Sequence, residues 1–223
     1  DAGAGTVRIS ADLASALELG QRLHQLTGGA FDVTLGPVIQ LLRQKVHDPA
    51  RLSEAQRLVG GRGLAVQGTR AALARRGMAV DLGGVGKGIA VDRIRDVLKR
   101  GGAHGGFVDF GGSLALAFGP VARAVNIHSM TGQPGTRIDL EDAAISISDS
   151  GLRESRIVDP RSGERVPARR QVAVIAQSAA LAEGLTKAAI VLGRAWITGT
   201  ALEGVSARVR FVDDQGDLDM PAR

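Results

Sequence analysis

Gly83, Gly84, Gly86 and Gly88, with Lys87 among them, are the residues in this sequence best suited by type and spacing to chemistry. Glycine lets a backbone turn with positive φ and lets a ligand come close to it. Lys87 adds a full positive charge beside them. Met78, Ala79, Val80 and Leu82, just ahead, form a short apolar run that suits a buried strand. Just behind, Ala90, Ile94, Val97 and Leu98 fall at i, i+4, i+7 and i+8, one apolar face of a helix. A strand that turns through glycines into a helix presents free N–H groups and a partial positive charge, which suit a phosphate. The stretch is not a P-loop, because Lys87 is followed by Gly88 rather than Ser or Thr and position 81 is Asp81. It is not GxGxxG either. A tight connection without a ligand gives the same pattern, so spacing alone leaves both readings open.

A second candidate is Ala30-Phe31-Asp32, in a loop too short and too rich in turn residues to be a regular element. An Asp beside a Phe between two helices suits one wall of a pocket. Asp32 as the cap of a helix starting at Pro37 fits the spacing equally well. His24, His47, His104 and His128 are too far apart for a local metal motif and read as surface or capping residues. There is no Cys, which excludes disulfides, thiolate metal sites and Cys nucleophiles. No GxSxG elbow is present, which argues against an α/β-hydrolase triad. The polar tail from Asp213 resembles a Ca²⁺ loop only faintly, since Gln215 stands at the third ligand position.

The elements that must position these residues read as follows. Ser10 caps a helix running to about Leu26, with Leu13, Ala16, Leu17, Gly20, Leu23 and Leu26 along one side. Val38–Val46 and Ser53–Val59 read as short helices, and Leu64–Gln67 and Ala71–Ala74 as strand pieces joined by Gly68-Thr69. Gly101-Gly102 stops the central helix. Strands are expected at Phe107–Phe110, Leu114–Phe118, Ala122–His128, Thr136–Leu140, Ala143–Ser148, Val172–Ala176 and Val205–Val212. Ala179–Leu192 is a second clear helix, with Leu181, Leu185, Ala188, Ala189 and Leu192 on its face.

The 223 residues are 44% apolar, with mean hydropathy near zero, enough to bury a sizeable core. No apolar run is long enough to span a bilayer as a helix. Net charge is +5, but the basic residues are scattered and aromatics are only 3%. Nucleic-acid binders pair a basic face with stacking aromatics, so no nucleic-acid partner is expected. A basic surface instead favours an anionic ligand.

Five segments occur in a fixed order: Thr27–Asp32 (TGGAFD), Asp81–Asp92 (DLGGVGKGIAVD), Phe107–Gly112 (FVDFGG), Ile157–Gly163 (IVDPRSG), and a helix with an Ala-acid pattern from Ala182. Together they resemble the ApbE family, the FAD-dependent protein FMN transferases. The resemblance implies an α+β fold of the T-fold-like ApbE kind, with antiparallel sheets and packed helices, as one domain over residues 1–223 that lacks the family's N-terminal strands. It implies FAD as a bound substrate and Mg²⁺-assisted transfer of FMN to a Thr of a target protein, releasing AMP. It assigns FAD contacts to Ala30, Phe31, Asp32, Asp81, Lys87 and Ile157. Metal ligands fall on the Gly84 carbonyl, Glu183 and Lys187. An exported or periplasmic location follows from the same resemblance, and no general base is evident.

The sequence departs from the family's pattern at four places. Lys187 stands where a Thr ligand is expected, and a protonated lysine has no lone pair for a metal. Its ammonium fits where the metal would sit, paired with Glu183. The same spacing also fits an ordinary i, i+4 helix pair worth about 0.3–0.5 kcal/mol. Asp149 stands for the Thr of the family's TSG, Ser113 for an Asp after GG, and Arg156 for a His before the IxDP turn. Three functions follow: an FMN transferase with an altered metal site, a relative that binds FAD or another nucleotide without transfer, or an interaction protein on the same fold.

Overall fold

The computed structural model describes residues 5–153, 157–196, 206–212 and 218–219. Arg156 and the tail positions from Asp213 to Gln215 lie outside the described residues. The chain forms two compact units, one of residues 1–84 with 158–165, the other of residues 85–157 with 166–223.

In the first unit, β1 (Val7–Arg8) leads into helix α1 (Ala11–Leu26). Ser10 caps α1 by accepting from the Leu13 N–H, as its sequence position predicts. Gly28 and Gly29 follow in the left-handed region, with φ of 57° and 82°. Helix α2 (Gly36–Arg43) carries Pro37 in its first turn and has Leu35, not Asp32, at its cap. Helix α3 (Pro49–Gln56) starts four residues ahead of its sequence expectation because Asp48 caps it and Pro49 opens it. Strands β2 (Leu64–Gln67) and β3 (Arg70–Leu73) make the expected hairpin, and β1 adds to β3. The apolar run at Met78–Leu82 is not a strand. Ala79 makes one parallel bridge to Leu35, and nothing extends it.

In the second unit, helix α4 (Gly86–Arg100) precedes β4 (Gly106–Asp109), β5 (Leu114–Phe118), β6 (Ala122–His128), β7 (Pro134–Glu141) and β8 (Ala144–Asp149). Then come β9 (Gln171–Ala176), helix α5 (Ala179–Leu192), β10 (Ala207–Val212) and β11 (Leu218–Asp219). Six strands form an antiparallel sheet in the order β11-β10-β9-β8-β5-β4, and β6 pairs with β7. Alternation along β5 explains the layers. Leu114, Leu116 and Phe118 pack with Val91 of α4 and Ala179 of α5, whereas Ala115 and Ala117 pack with Ile127 and Leu140 of the β6–β7 pair. Both faces of β5 are therefore buried, and the strand is apolar throughout. The expected α+β architecture of antiparallel sheets and packed helices is the observed one.

Helix α4 departs from expectation. Its stripe of Ile94, Val97 and Leu98 is exposed, and Gly88 and Val91 face inward instead. A glycine makes the closest helix contact here, and hydrophobic periodicity cannot register one.

Candidate functional site

Helix α5 places Glu183 and Lys187 one turn apart. The Glu183 side chain is 1% exposed, so its carboxylate must be met by polar groups. Oε2 accepts the backbone N–H of Gly88 at 2.8 Å, in the first turn of α4. Oε1 has no hydrogen-bond partner and lies 3.8 Å from Lys87 Nζ. Lys87 Nζ also donates to Ser113 Oγ at 3.0 Å, from the turn between β4 and β5. Lys187 Nζ donates to the nearly buried Ser148 Oγ of β8 at 2.7 Å. Ser148 and Thr186 hydroxyls are 3.0 Å apart, and Thr186 donates to the Glu183 carbonyl. The result is one buried carboxylate faced by Lys87, with Lys187 one turn on and a hydroxyl holding each ammonium.

None of Gly83, Gly84, Gly86 and Gly88 has a positive φ, so the glycines do not serve conformational freedom. They serve close approach. A Cβ on Gly88 would come within 2.5 Å of the Ala179 carbonyl oxygen, where α4 meets α5. A Cβ on Gly86 would meet nothing within 4 Å, so the start of α4 has open space beside it. Asp92, the last residue of the glycine motif, caps α5. It accepts from Ser178 Oγ, Ala179 N and Ala180 N at 2.7, 3.0 and 3.0 Å. Ile157 also lies in the second unit, with its carbonyl accepting from Val166 N. Asp149 Oδ1 accepts from Gly151 N at 2.9 Å and so shapes the turn after β8.

Ala30, Phe31, Asp32, Asp81 and Gly84 belong to the first unit. Ala30 and Phe31 are buried. The Asp32 carboxylate is taken up by its own loop and by the turn at Gly61. Oδ1 accepts Thr34 N and Thr34 Oγ1 at 2.8 and 2.7 Å, Oδ2 accepts Gly61 N at 2.8 Å, and His24 Nδ1 stands 3.1 Å from Oδ2. Asp32 is thus neither a helix cap nor an open acceptor, but the tie between two loops. Asp81 Oδ1 accepts from Gly83 N and Oδ2 pairs with Arg43 at 2.7 Å. A cavity of about 1270 Å³ in this unit is lined by His24, Gly29, Asp32, Gln56, Arg57 and Arg161 among others, and Asp81 borders a separate one of about 270 Å³. Arg161 donates to both oxygens of Asp159. Burial alone would raise the Asp159 carboxyl, but the hydrogen bonds and charge of Arg161 outweigh it and hold the group below its ordinary value.

Sequence reasoning passed over Arg43, Ser148 and the His24–Asp32 contact. Ser148 carried a weak signal, since polar residues alternate along Ile145-Ser146-Ile147-Ser148. Arg43 carried none, because its pairing with Asp81 is made by the fold.

Magnesium requires several oxygen ligands at about 2.0–2.1 Å. Of the side chains in the second unit that the resemblance assigns to a metal, Glu183 offers a carboxylate with the Lys87 ammonium 3.8 Å away, and no cluster of three Asp, Glu, His or Cys occurs among the described residues. Lys187 carries donors only. This donor set does not fit a divalent cation.

The second unit is thus an antiparallel α+β unit in which a buried carboxylate, faced by Lys87, meets the first turn of α4. A sequence model of the ApbE family matches residues 1–207, and the chain belongs to that family. It is 28% identical to the FAD:protein FMN transferase of Haemophilus influenzae over 84% of this chain and 62% of that protein. The Treponema pallidum protein of the same name is 28% identical over 86% of this chain and 63% of that one. The chain therefore spans somewhat under two thirds of these relatives' length. The apo flavinyl transferase ApbE of Pseudomonas stutzeri superposes with a TM-score of 0.79 at 26% identity, over 95% of this chain and 72% of that one. The Thermotoga maritima ApbE protein superposes with a TM-score of 0.82 at 24% identity, over 97% and 77%, and supports the fold.

Proposed function

We propose that this chain binds FAD and transfers its FMN half to a hydroxyl of a target protein. Family membership and the names of its relatives support the reading. The structural observation that carries it is Lys87, fixed by Ser113 and Glu183 at the open start of α4. A diphosphate needs a cation and backbone donors, and both stand there. In the reaction, the acceptor hydroxyl oxygen bonds to the flavin-side phosphorus. The bond from that phosphorus to the bridging oxygen breaks, AMP leaves with that oxygen, and the hydroxyl proton passes to solvent. Lys87 offsets the charge gathering on the phosphoryl oxygens. By resemblance, Ala30, Phe31, Asp81 and Ile157 contact the nucleotide, and Asp32 holds the loop that carries the first two. Because the donor set does not fit Mg²⁺, no step is assigned to a metal.

The test is incubation with FAD and a Thr-bearing acceptor protein. The expected result is one AMP released for each FMN covalently gained by the acceptor, read by chromatography and intact mass. Lys187 favours a second reading, FAD binding without transfer. FAD at 100 times its Kd stabilises the fold by about 2.7 kcal/mol under either reading. No thermal shift with excess FAD sinks both, whereas a shift without AMP release leaves only the second.

A further inference from the structure

We infer that Ser113, held by the turn between β4 and β5, is the positioning residue for Lys87: its hydroxyl sets where the ammonium stands when the diphosphate arrives. The inference rests on the FAD reading above. Lysine is a point charge on a flexible four-carbon stem, so its place in a site is set by its partners. Its ammonium has three N–H donors. Lys87 gives one to Ser113 Oγ at 3.0 Å, while Glu183 Oε1 at 3.8 Å attracts the ammonium without accepting a hydrogen bond from it. The side chain is 42% exposed, so a ligand can reach it. Glu183 therefore supplies attraction, and Ser113 supplies direction.

Ser113 can direct the lysine because its own backbone is pinned. Its carbonyl accepts from Ile147 N at 2.8 Å, which ties it to β8. The next residue, Leu114, is buried in β5 and accepts from Phe110 N at 2.8 Å. Ahead of Ser113 the chain reverses through Gly111 and Gly112, with φ of 69° and 70°. Asp109 Oδ1 closes the turn by accepting from Gly112 N at 2.9 Å. A Cβ on either glycine would meet nothing within 4 Å, so the turn needs them for backbone conformation rather than for room. The shape of the turn fixes the Ser113 hydroxyl, and the hydroxyl fixes the lysine. All of these residues lie in the second unit. A cation ordered before the ligand arrives loses less freedom on binding it.

The experiment is a calorimetric titration of FAD into the wild-type chain and its variants, with a thermal melt of each free protein. Ser113→Ala is expected to raise Kd about fivefold while melting within about 2 °C of the wild type. Ser113→Thr keeps the hydroxyl and is expected to stay within about twofold of the wild-type Kd. Gly112→Ala strains the turn and is expected to raise Kd about threefold at a temperature well below its melt. If Gly112→Ala melts too early to titrate, Asp109→Ala, which frees the Gly112 N–H, takes its place. Combined with Ser113→Ala, either turn variant is expected to add nothing further to Kd, because the turn acts on the nucleotide through the hydroxyl. A purely structural turn would lower the melting temperature without this pattern in affinity. Wild-type affinity in Ser113→Ala, a Ser113→Thr variant as weak as Ser113→Ala, or turn and hydroxyl effects that multiply would each overturn this inference and leave the FAD reading intact. No FAD binding by the wild type overturns both.

Discussion

Gly88 donates its backbone N–H to Glu183 Oε2 at 2.8 Å, although the two residues are 95 positions apart. The bond exists because Gly88 has no side chain to hold α4 away from α5. Gly88→Ala puts a Cβ within 2.5 Å of the Ala179 carbonyl oxygen, against rigid backbone rather than a flexible side chain. The expected outcome is a loss of about 1–3 kcal/mol in urea denaturation, as overpacked cores show. Wild-type stability in this variant would mean that the helices do not approach so closely.

Asp92 meets the other end of the same contact. Its two oxygens accept from Ser178 Oγ and from the N–H groups of Ala179 and Ala180, while Arg95 lies 3.2 Å away. Asp92→Ala leaves free N–H groups at the start of α5, a helix that is almost entirely buried. The loss expected from capping data is about 1–2 kcal/mol, with Asp92→Asn losing less because one oxygen remains. Denaturant midpoints of the two variants check this order, and equal midpoints would argue that Asp92 acts only through charge.

Much of this fold was legible where burial is two-sided. Leu114–Phe118 matches β5, and Ala179–Leu192 matches α5, because a continuous apolar run and a long apolar helical face each leave few alternatives. The stripe on α4 misled, since Ile94, Val97 and Leu98 face outward at 38%, 57% and 41% exposure. What buries the other side is the close approach at Gly88, which has no hydrophobic signature. The glycine turn and Lys87 were marked by residue type and spacing, and Glu183 by family resemblance. The partners that fix them, Ser113 and Ser148, are 26 and 39 positions from their lysines and had no local pattern to announce the pairing.

Asp159 should make stability depend on acid pH. Its ordinary value is 3.8. Burial alone would raise that value, and the side-chain bonds, backbone N–H and charge of Arg161 lower it overall. With a folded pKa below the unfolded one, the unfolded chain takes up the proton first as pH falls. The contribution is therefore fully present above the unfolded value and is lost as pH drops through the folded value. In Asp159→Asn, the stability deficit against wild type should be constant at neutral pH and shrink below about pH 4. Urea midpoints across a pH series measure it, and a deficit that grows toward low pH would contradict the assignment.

Asp32 gives the sharpest separation between holding a loop and touching a ligand. Its carboxylate accepts from Thr34 N, Thr34 Oγ1 and Gly61 N, and it is almost wholly buried. In Asp32→Asn, the remaining carbonyl can keep the Thr34 bonds, but the new amide faces the Gly61 N–H, donor against donor. Leaving that buried N–H unpaired should cost about 1–3 kcal/mol. Thermal melting of the free protein should therefore fall, with FAD affinity at a temperature well below the melt changing by less than about threefold. If Asp32→Asn instead keeps its melting temperature and loses FAD binding tenfold or more, its carboxylate reaches the nucleotide directly and the loop-tie assignment is wrong.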